Sequence, residues 1–346
     1  MKNTENAQID RQWPDENLEE VGACPYCGSN HRSVAYRDVQ DWTFESAPGR
    51  WTYWDCLNCN ALYLDPRPTE KSIGSAYRRY YTHDQSPPSG RLQRLKYQLL
   101  NECWSHWLGT DIRPRLGVPR PLAPLLRPLY SKIPPPFELE VLATLPQGDL
   151  LDVGCGSGST LKLAALLGWK VTGLELDTSA VRTARSQGLN VVYGTYHRLQ
   201  EYPNAFDYVI CSHLLEHVHQ PHMLLGLIKA ALKDNGVAII SCPNSQSYVR
   251  HRFGASWRGL EAPRHLAISS LEFLIGTMKS LGFSTTQIQP IGSTTIKQSR
   301  RILESRRKSE LRGTQQPQDE LYPSVDPESH PDLIQLVCRK IAQPET

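Results

Sequence analysis

A chain of 346 residues, 39% hydrophobic and 21% charged, is long enough for one large domain with an appendage or for two ordinary domains, and can bury a sizeable core. Thirty-eight basic against 35 acidic residues leave a net charge of +3, which excludes a polycation built wholesale for nucleic acid but not a local basic patch. The apolar runs stay under about ten residues, half of what a membrane-spanning helix needs.

The first 20 residues are polar and acidic, without the apolar stretch of a signal peptide. Together with an odd number of cysteines, nine, this suggests a cytoplasmic protein with reduced thiols. Four of the nine form two C-x2-C pairs, Cys24–Cys27 and Cys56–Cys59. Each such turn presents two thiolates from one tight loop, and two turns supply the four soft ligands of a tetrahedral zinc ion. Between the pairs, SVAYRDV and RWTYWDC alternate as short strands do, so a zinc ribbon is expected over 21–66, with Cys24, Cys27, Cys56 and Cys59 as closed structural ligands. A redox role would need one pair at the start of a helix, and neither pair has that context.

The stretch 67–137 reads as a helical and proline-rich linker or cap. Thr69 is placed to cap a short helix reaching Tyr81. The segment 91–108 has helical spacing, with Leu92, Leu95, Leu99, Cys103 and Trp107 on one face. Eight prolines in 113–136 favour an extended connector. Charge clusters here: 91–136 holds eight basic and two acidic residues, and 297–312 holds seven and two. Both are candidate docking surfaces for an anionic acceptor, beside the simpler reading of solvated surface.

From 149 onward strands and helices alternate, the pattern of a parallel α/β sheet. In LLDVGCGSGST, Leu150, Leu151 and Val153 make a buried strand, and Gly154, Gly156 and Gly158 a turn into a helix whose backbone N–H groups face a ligand. Asp152 before the first glycine would repel a pyrophosphate but suits a cationic amino-acid ligand, and Ser159 stands where the dinucleotide fingerprint wants glycine or alanine. The next strand ends in Glu175, an acceptor for ribose hydroxyls. A nicotinamide oxidoreductase is thereby disfavoured.

LLDVGCGSG, VTGLELD, FDYVICSHLLEHVHQP, GVAIISCPN and RGLEAPRHLAISSLEFLIGTMKSLGF follow one another in the order of the class I S-adenosylmethionine-dependent methyltransferases, which the chain resembles from 149 to about 291. With its cysteine pairs, LYLDPRP and YRRYY, the whole chain is similar to bacterial zinc-ribbon methyltransferases of polysaccharide and natural-product gene clusters. The resemblance implies a Rossmann-like, seven-stranded, mostly parallel sheet in a methyltransferase domain over 138–346, with 283–291 and 333–341 as an antiparallel edge hairpin and 292–331 inserted between them as a mobile segment or substrate lid. It implies S-adenosylmethionine as cofactor, with Gly154, Cys155, Gly156 and Gly158 at its methionine end and Asp152 nearby. Glu175 would take the ribose and Leu176 the adenine face. Gly194 and Thr195 stand where many relatives carry an acid for the adenine. Ser212 and Tyr81 complete the cofactor-side set, Tyr81 with Tyr77 and Tyr80 as a lid.

Methyl transfer to a hydroxyl benefits from a histidine base. His265 is the first candidate, followed by His213 and His217. His213, Glu216 and His217 are spaced to share a helical face. Related quinone O-methyltransferases, with an acid in place of His213, can hold a divalent cation there, whereas Leu-Glu-His-Val occurs widely in relatives with no known metal. Arg258 and Arg264 are candidates for a substrate phosphate or carboxylate. The expected activity is methyl transfer to a small-molecule acceptor, a sugar or natural-product hydroxyl, anionic or carrier-linked. An RNA or protein methyltransferase and a catalytically silent cofactor-binding partner are the alternatives. Nucleic acid is disfavoured because 24–59 shows no basic excess.

Overall fold

The computed structural model describes residues 12–77, 90–112, 133, 135–288, 295–310 and 330–342. Residues 80 and 81, most of the proline-rich stretch 113–136, and 311–329 of the expected insertion lie outside these. The chain divides into two compact units: 1–80 with 213–229 and 240–343, and 81–212 with 230–239 and 344–346.

The strands are β1 (Leu18–Glu19), β2 (Arg32–Val39), β3 (Trp51–Cys56), β4 (Leu62–Leu64), β5 (Arg67–Pro68), β6 (Asp149–Val153), β7 (Lys170–Glu175), β8 (Val191–Tyr193), β9 (Phe206–Ser212), β10 (Leu232–Pro243), β11 (Ala267–Ile268), β12 (Phe283–Gln287) and β13 (Leu333–Lys340). The main sheet is seven-stranded and mostly parallel, in the order β12-β13-β10-β9-β6-β7-β8. In the second unit β6 runs parallel to both β7 and β9, and β8 parallel to β7. A strand flanked on both sides and covered on both faces must be apolar throughout, and Leu150, Leu151 and Val153 of β6 are buried. Helices α1 (Arg91–Leu108), α2 (Phe137–Leu142), α3 (Ser159–Leu166) and α4 (Thr178–Ser186) also belong to this unit. Of the expected apolar stripe of α1 only Cys103 is buried: Leu92, Leu95 and Trp107 are exposed, while Asn101, Glu102 and Ser105 are buried beside Cys103. Polar burial is tolerated there in part because the Ser105 hydroxyl donates to the Asn101 carbonyl and accepts from Ile112 N.

In the first unit β12 and β13 pair antiparallel, from Phe283 opposite Lys340 to Gln287 opposite Leu336. A four-stranded sheet, β11-β4-β3-β2, carries the cysteine pairs. Its β11 comes from far along the chain, pairing Ala267 with Tyr63. Alternation turns Trp51 and Tyr53 inward, into a core with Trp13, Leu62, Leu64, Val249, Trp257, Leu266 and Ile268. Thr69 does not cap a helix; its hydroxyl meets Ser72, and a short 3-10 turn, Ile73–Tyr77, follows.

Helices α5 (Pro221–Ala231), α6 (Tyr248–Phe253), α7 (Leu271–Ser280) and α8 (Thr295–Glu310) complete the described helices. The second basic segment is thus a helix, α8, which buries Ser299 and Ile302 and exposes Lys297, Arg300 and Arg301. Just before β13, Asp332 ties several segments together. Its carboxylate accepts from the Ser247 hydroxyl at 2.8 Å, from Trp257 Nε1 at 3.2 Å and from Thr295 at the start of α8. Asn244 bonds the Pro331 carbonyl beside it. None of the described helices is long and apolar enough to cross a membrane.

Arg264 is wholly buried in this unit, its guanidinium 2.5 Å from Asp41 and 3.2 Å from Glu261, with a further bond to the Ala76 carbonyl. Asp41 in turn accepts from the backbone N–H groups of Phe44, Ser46 and Ala47. Removing one member of a buried ion pair leaves the other charged and unpaired, at a cost of about 3–5 kcal/mol.

Candidate functional site

The glycine turn lies in the second unit, between β6 and α3. Gly154, Gly156 and Gly158 all have positive φ, which other residues adopt only at a cost. A Cβ on Gly158 would also collide with Leu189. Gly154 is exposed, whereas Gly156 and Gly158 are buried, so the turn packs closely and offers its backbone at Gly154. Glu175, at the end of β7, is buried and ties the turn to its strand: Gly156 N donates to Oε2 at 2.8 Å and Asp177 N to Oε1 at 2.7 Å. A carboxylate has about four lone-pair directions, so acceptor capacity remains for two hydroxyls. The next residue, Leu176, is 57% exposed, and Thr195 is exposed as well.

Asp152 is buried at the end of β6. Burial first, then the charges of Glu138 and Glu175, push its pKa up to about 8. Glu138, on α2, is buried and accepts from the Ser212 hydroxyl at 2.5 Å. Sequence reasoning passed over Glu138, because an acid in a short helix before the first strand carries no spacing signal. Three carboxylates thus act on one another beside the glycine turn, and a cationic group placed there would offset their repulsion. Cys155 is buried, and burial raises its thiol pKa, so it lines the turn without reactivity. Tyr81 lies outside the described residues.

The histidines lie in the first unit. His213 has positive φ, and its half-exposed ring holds Nδ1 3.3 Å from Glu216 Oε1. Glu216 sits in a three-residue 3-10 turn, Leu215–His217, so the expected helical face shared with His213 does not form. Burial opposes ionisation of Glu216, but the His213 hydrogen bond and the surrounding imidazoles outweigh it and hold the pKa at about 2. His217 Nδ1 lies 3.0 Å from the Arg264 carbonyl and 2.9 Å from the Tyr77 hydroxyl. His265 is buried, with Nδ1 2.6 Å from the Gly259 carbonyl and Nε2 3.6 Å from Glu261. Burial pushes its pKa down to about 4, against the pull of Glu261. The rings of His217 and His265 meet edge to face at 4.6 Å. Arg264 does not meet the expectation of a substrate-binding arginine, since its guanidinium is enclosed by Asp41 and Glu261; Arg258 likewise engages Glu261.

The four N-terminal cysteines converge. Cys24 Sγ lies 3.6 Å from Cys59 Sγ, Cys27 Sγ lies 3.4 Å from Cys56 Sγ, and all four sulfurs fall within 4.8 Å of one another. Zn–S bonds of about 2.3 Å in a tetrahedron require sulfurs about 3.8 Å apart, so the set fits such an ion. Each knuckle turns on a residue of positive φ after its second cysteine, Gly28 and Asn60. The thiol of Cys24 is lowered to about 5, chiefly by its hydrogen bond with Cys59, whose own pKa is raised.

The family model for a methyltransferase domain matches residues 126–288. That match takes in the glycine turn, Asp152 and Glu175, so this segment is similar to a methyltransferase domain. Among curated proteins, the ubiquinone biosynthesis O-methyltransferase of Xanthomonas campestris pv. campestris is 34% identical over 119 residues, 32% of this chain and 50% of that enzyme. The enzyme of the same name from Glaesserella parasuis is 32% identical over 122 residues, 31% of this chain and 51% of its own. The chain spans about half the length of the curated relatives it matches. Among solved structures, a possible histamine N-methyltransferase from Thermotoga maritima aligns with a TM-score of 0.42 and 19% identity over 58% of this chain and 86% of its own. The YcgJ protein of a Bacillus aligns with a TM-score of 0.44 and 18% identity over 59% and 97%.

The raised pKa of Asp152 has a sign that can be checked. An unfolded aspartate ionises near 3.9 and the folded one near 8, so the ligand-free native state binds the extra proton and loses stability as pH rises between these values. Asp152→Asn removes that dependence, and the variant is expected to gain stability over the parent at pH 8 relative to pH 5. Urea denaturation at the two pH values measures it, and equal differences would refute the assignment.

Proposed function

We propose that this chain is an S-adenosylmethionine-dependent methyltransferase that methylates a hydroxyl of a small molecule. The observation that carries the reading is the positive-φ glycine turn tied to Glu175, with Asp152 and Glu138 behind it. Gly154, Gly156 and Gly158 let the backbone approach the methionine end, with Cys155 and Ser212 lining it and Asp152 answering its ammonium group. Glu175 takes the ribose hydroxyls, exposed Leu176 the adenine face, and Thr195 and Tyr81 complete the surround. S-adenosylmethionine supplies the methyl group on a sulfonium, which leaves as a neutral thioether.

The protein's part is to bring acceptor and methyl together in line and to take up the hydroxyl proton. Among the three candidate histidines we assign that role to His213. Its Nδ1 lies against Glu216, which orients the ring, and the side chain is half-exposed. His265, held by Gly259 and Glu261 in the interior, and His217, held by Arg264, are not assigned as bases. An oxygen acceptor is supported by the relatives named O-methyltransferases. A sugar or natural-product acceptor, anionic or carrier-linked, is our narrower suggestion, to which the cationic face of α8 is suited. We also assign a structural Zn2+ to Cys24, Cys27, Cys56 and Cys59.

Calorimetry is expected to show S-adenosylmethionine binding that Glu175→Gln weakens at least tenfold, about 1.4 kcal/mol; unchanged affinity would sink the site. On a panel of phenolic and glycosidic acceptors, His213→Ala is expected to lower turnover by about 10²-fold or more while leaving cofactor affinity intact. Full turnover would remove His213 as the base. Zinc analysis should return about one ion per chain, lost with a fall in melting temperature in Cys24→Ser; an unchanged zinc content would dismiss the ribbon site.

A further inference from the structure

The buried contacts of His265 determine which of its ring nitrogens carries the proton. A backbone carbonyl can only accept, so the bond to the Gly259 carbonyl places the N–H of His265 on Nδ1 and leaves its Nε2 a bare lone pair in the neutral ring. At His217 both the Arg264 carbonyl and the Tyr77 hydroxyl meet Nδ1, and no hydrogen bond reaches its Nε2 among the described residues. Between the two imidazoles stands Glu216, 1% exposed, whose Oε1 is occupied by His213 and whose Oε2 is buried without a hydrogen-bond partner. Donor atoms of Glu216, His217 and His265 all lie within 4.8 Å of one another. Glu261, the other acid near His265, is already committed to Arg258 and Arg264. Lone-pair acceptors gathered in the interior with one carboxylate oxygen unsatisfied are costly, and a cation among them removes that cost.

We propose that Glu216, His217 and His265 form a second metal site, for a divalent first-row transition ion such as zinc or cobalt. Two imidazoles and one carboxylate are the donors such ions favour, whereas magnesium and calcium favour all-oxygen shells. An imidazole that donates its other N–H to a carbonyl, as His265 does, is held in the tautomer and orientation that metal ligation needs. The set is not the His213–Glu216–His217 triplet read from spacing: the third ligand is His265, whose Nε2 lies 4.0 Å from Glu216 Oε1, the oxygen that also faces His213 at 3.3 Å. Glu216 and His265 are buried and His217 is half-buried, so an ion enters on the His217 side and three protein ligands leave its shell open there. The inference does not rest on methyl transfer.

Cobalt(II) is the probe, added to the full chain and followed by desalting, metal counting and absorption spectroscopy. Thiolate-bound cobalt gives an intense sulfur-to-metal band in the near ultraviolet; cobalt on nitrogen and oxygen gives only weak visible bands. Wild-type protein is expected to retain a cobalt ion of the second kind beyond any thiolate-bound one, in the presence of excess magnesium. Glu216→Gln and His217→Gln are each expected to lose that ion alone, with the far-ultraviolet circular dichroism and any thiolate band unchanged. The wild-type count stands whether or not either variant folds. Absence of the nitrogen-and-oxygen-bound ion in the wild type, or its persistence in either folded variant, overturns the proposal.

Discussion

The buried guanidinium of Arg264 is the interaction on which the histidine cluster depends. Its side chain binds Asp41, which gathers the loop through Ala47, and reaches the Ala76 carbonyl in the turn that carries Tyr77. Its own carbonyl receives His217, and the residue after it is His265. Glu261 closes the set by accepting from Arg264 and Arg258 while facing His265 Nε2. A charge this deep survives only if it is paired and hydrogen-bonded, so the positions of three loops are fixed together by the requirement to satisfy one group. The imidazoles inherit their orientation from that requirement.

The second unit is governed by the opposite condition. Glu138, Asp152 and Glu175 place acids near one another without a cation among their assigned partners, and burial together with that repulsion raises the pKa of Asp152. A cluster of acids of this kind discriminates by charge: a ligand bearing an ammonium and a sulfonium relieves it, and one bearing a pyrophosphate aggravates it. The absence of a third glycine at Ser159 points the same way, and both features favour one cofactor class over the other.

Much of this was readable from the sequence because it is encoded over short distances. The apolar run of β6, the alternate glycines and Glu175 lie within a single strand–turn–helix–strand segment, where periodicity and turn chemistry act directly. The edge hairpin was expected from the family resemblance, and the structure pairs Phe283–Gln287 with Leu336–Lys340. What escaped was non-local. Nothing near Ala267 announces that it will pair with Tyr63, and nothing in Ala-Pro-Arg-His-Leu reveals that Arg264 and His265 point inward, because their partners Asp41 and Glu216 lie far off in sequence. The i, i+3, i+4 spacing at 213–217 was misleading because a positive φ at His213 breaks the helix that the spacing presumes. Charge density marked 297–312 but said nothing of its fold, since a helix whose buried residues, among those described, are Ser299 and Ile302 has too narrow an apolar stripe to register.

Asp332 carries a last implication. One carboxylate receives Ser247 at the start of α6, Trp257 and Thr295 at the start of α8. Losing it would leave three donors without that acceptor at once, so these segments open as one cooperative unit rather than one by one.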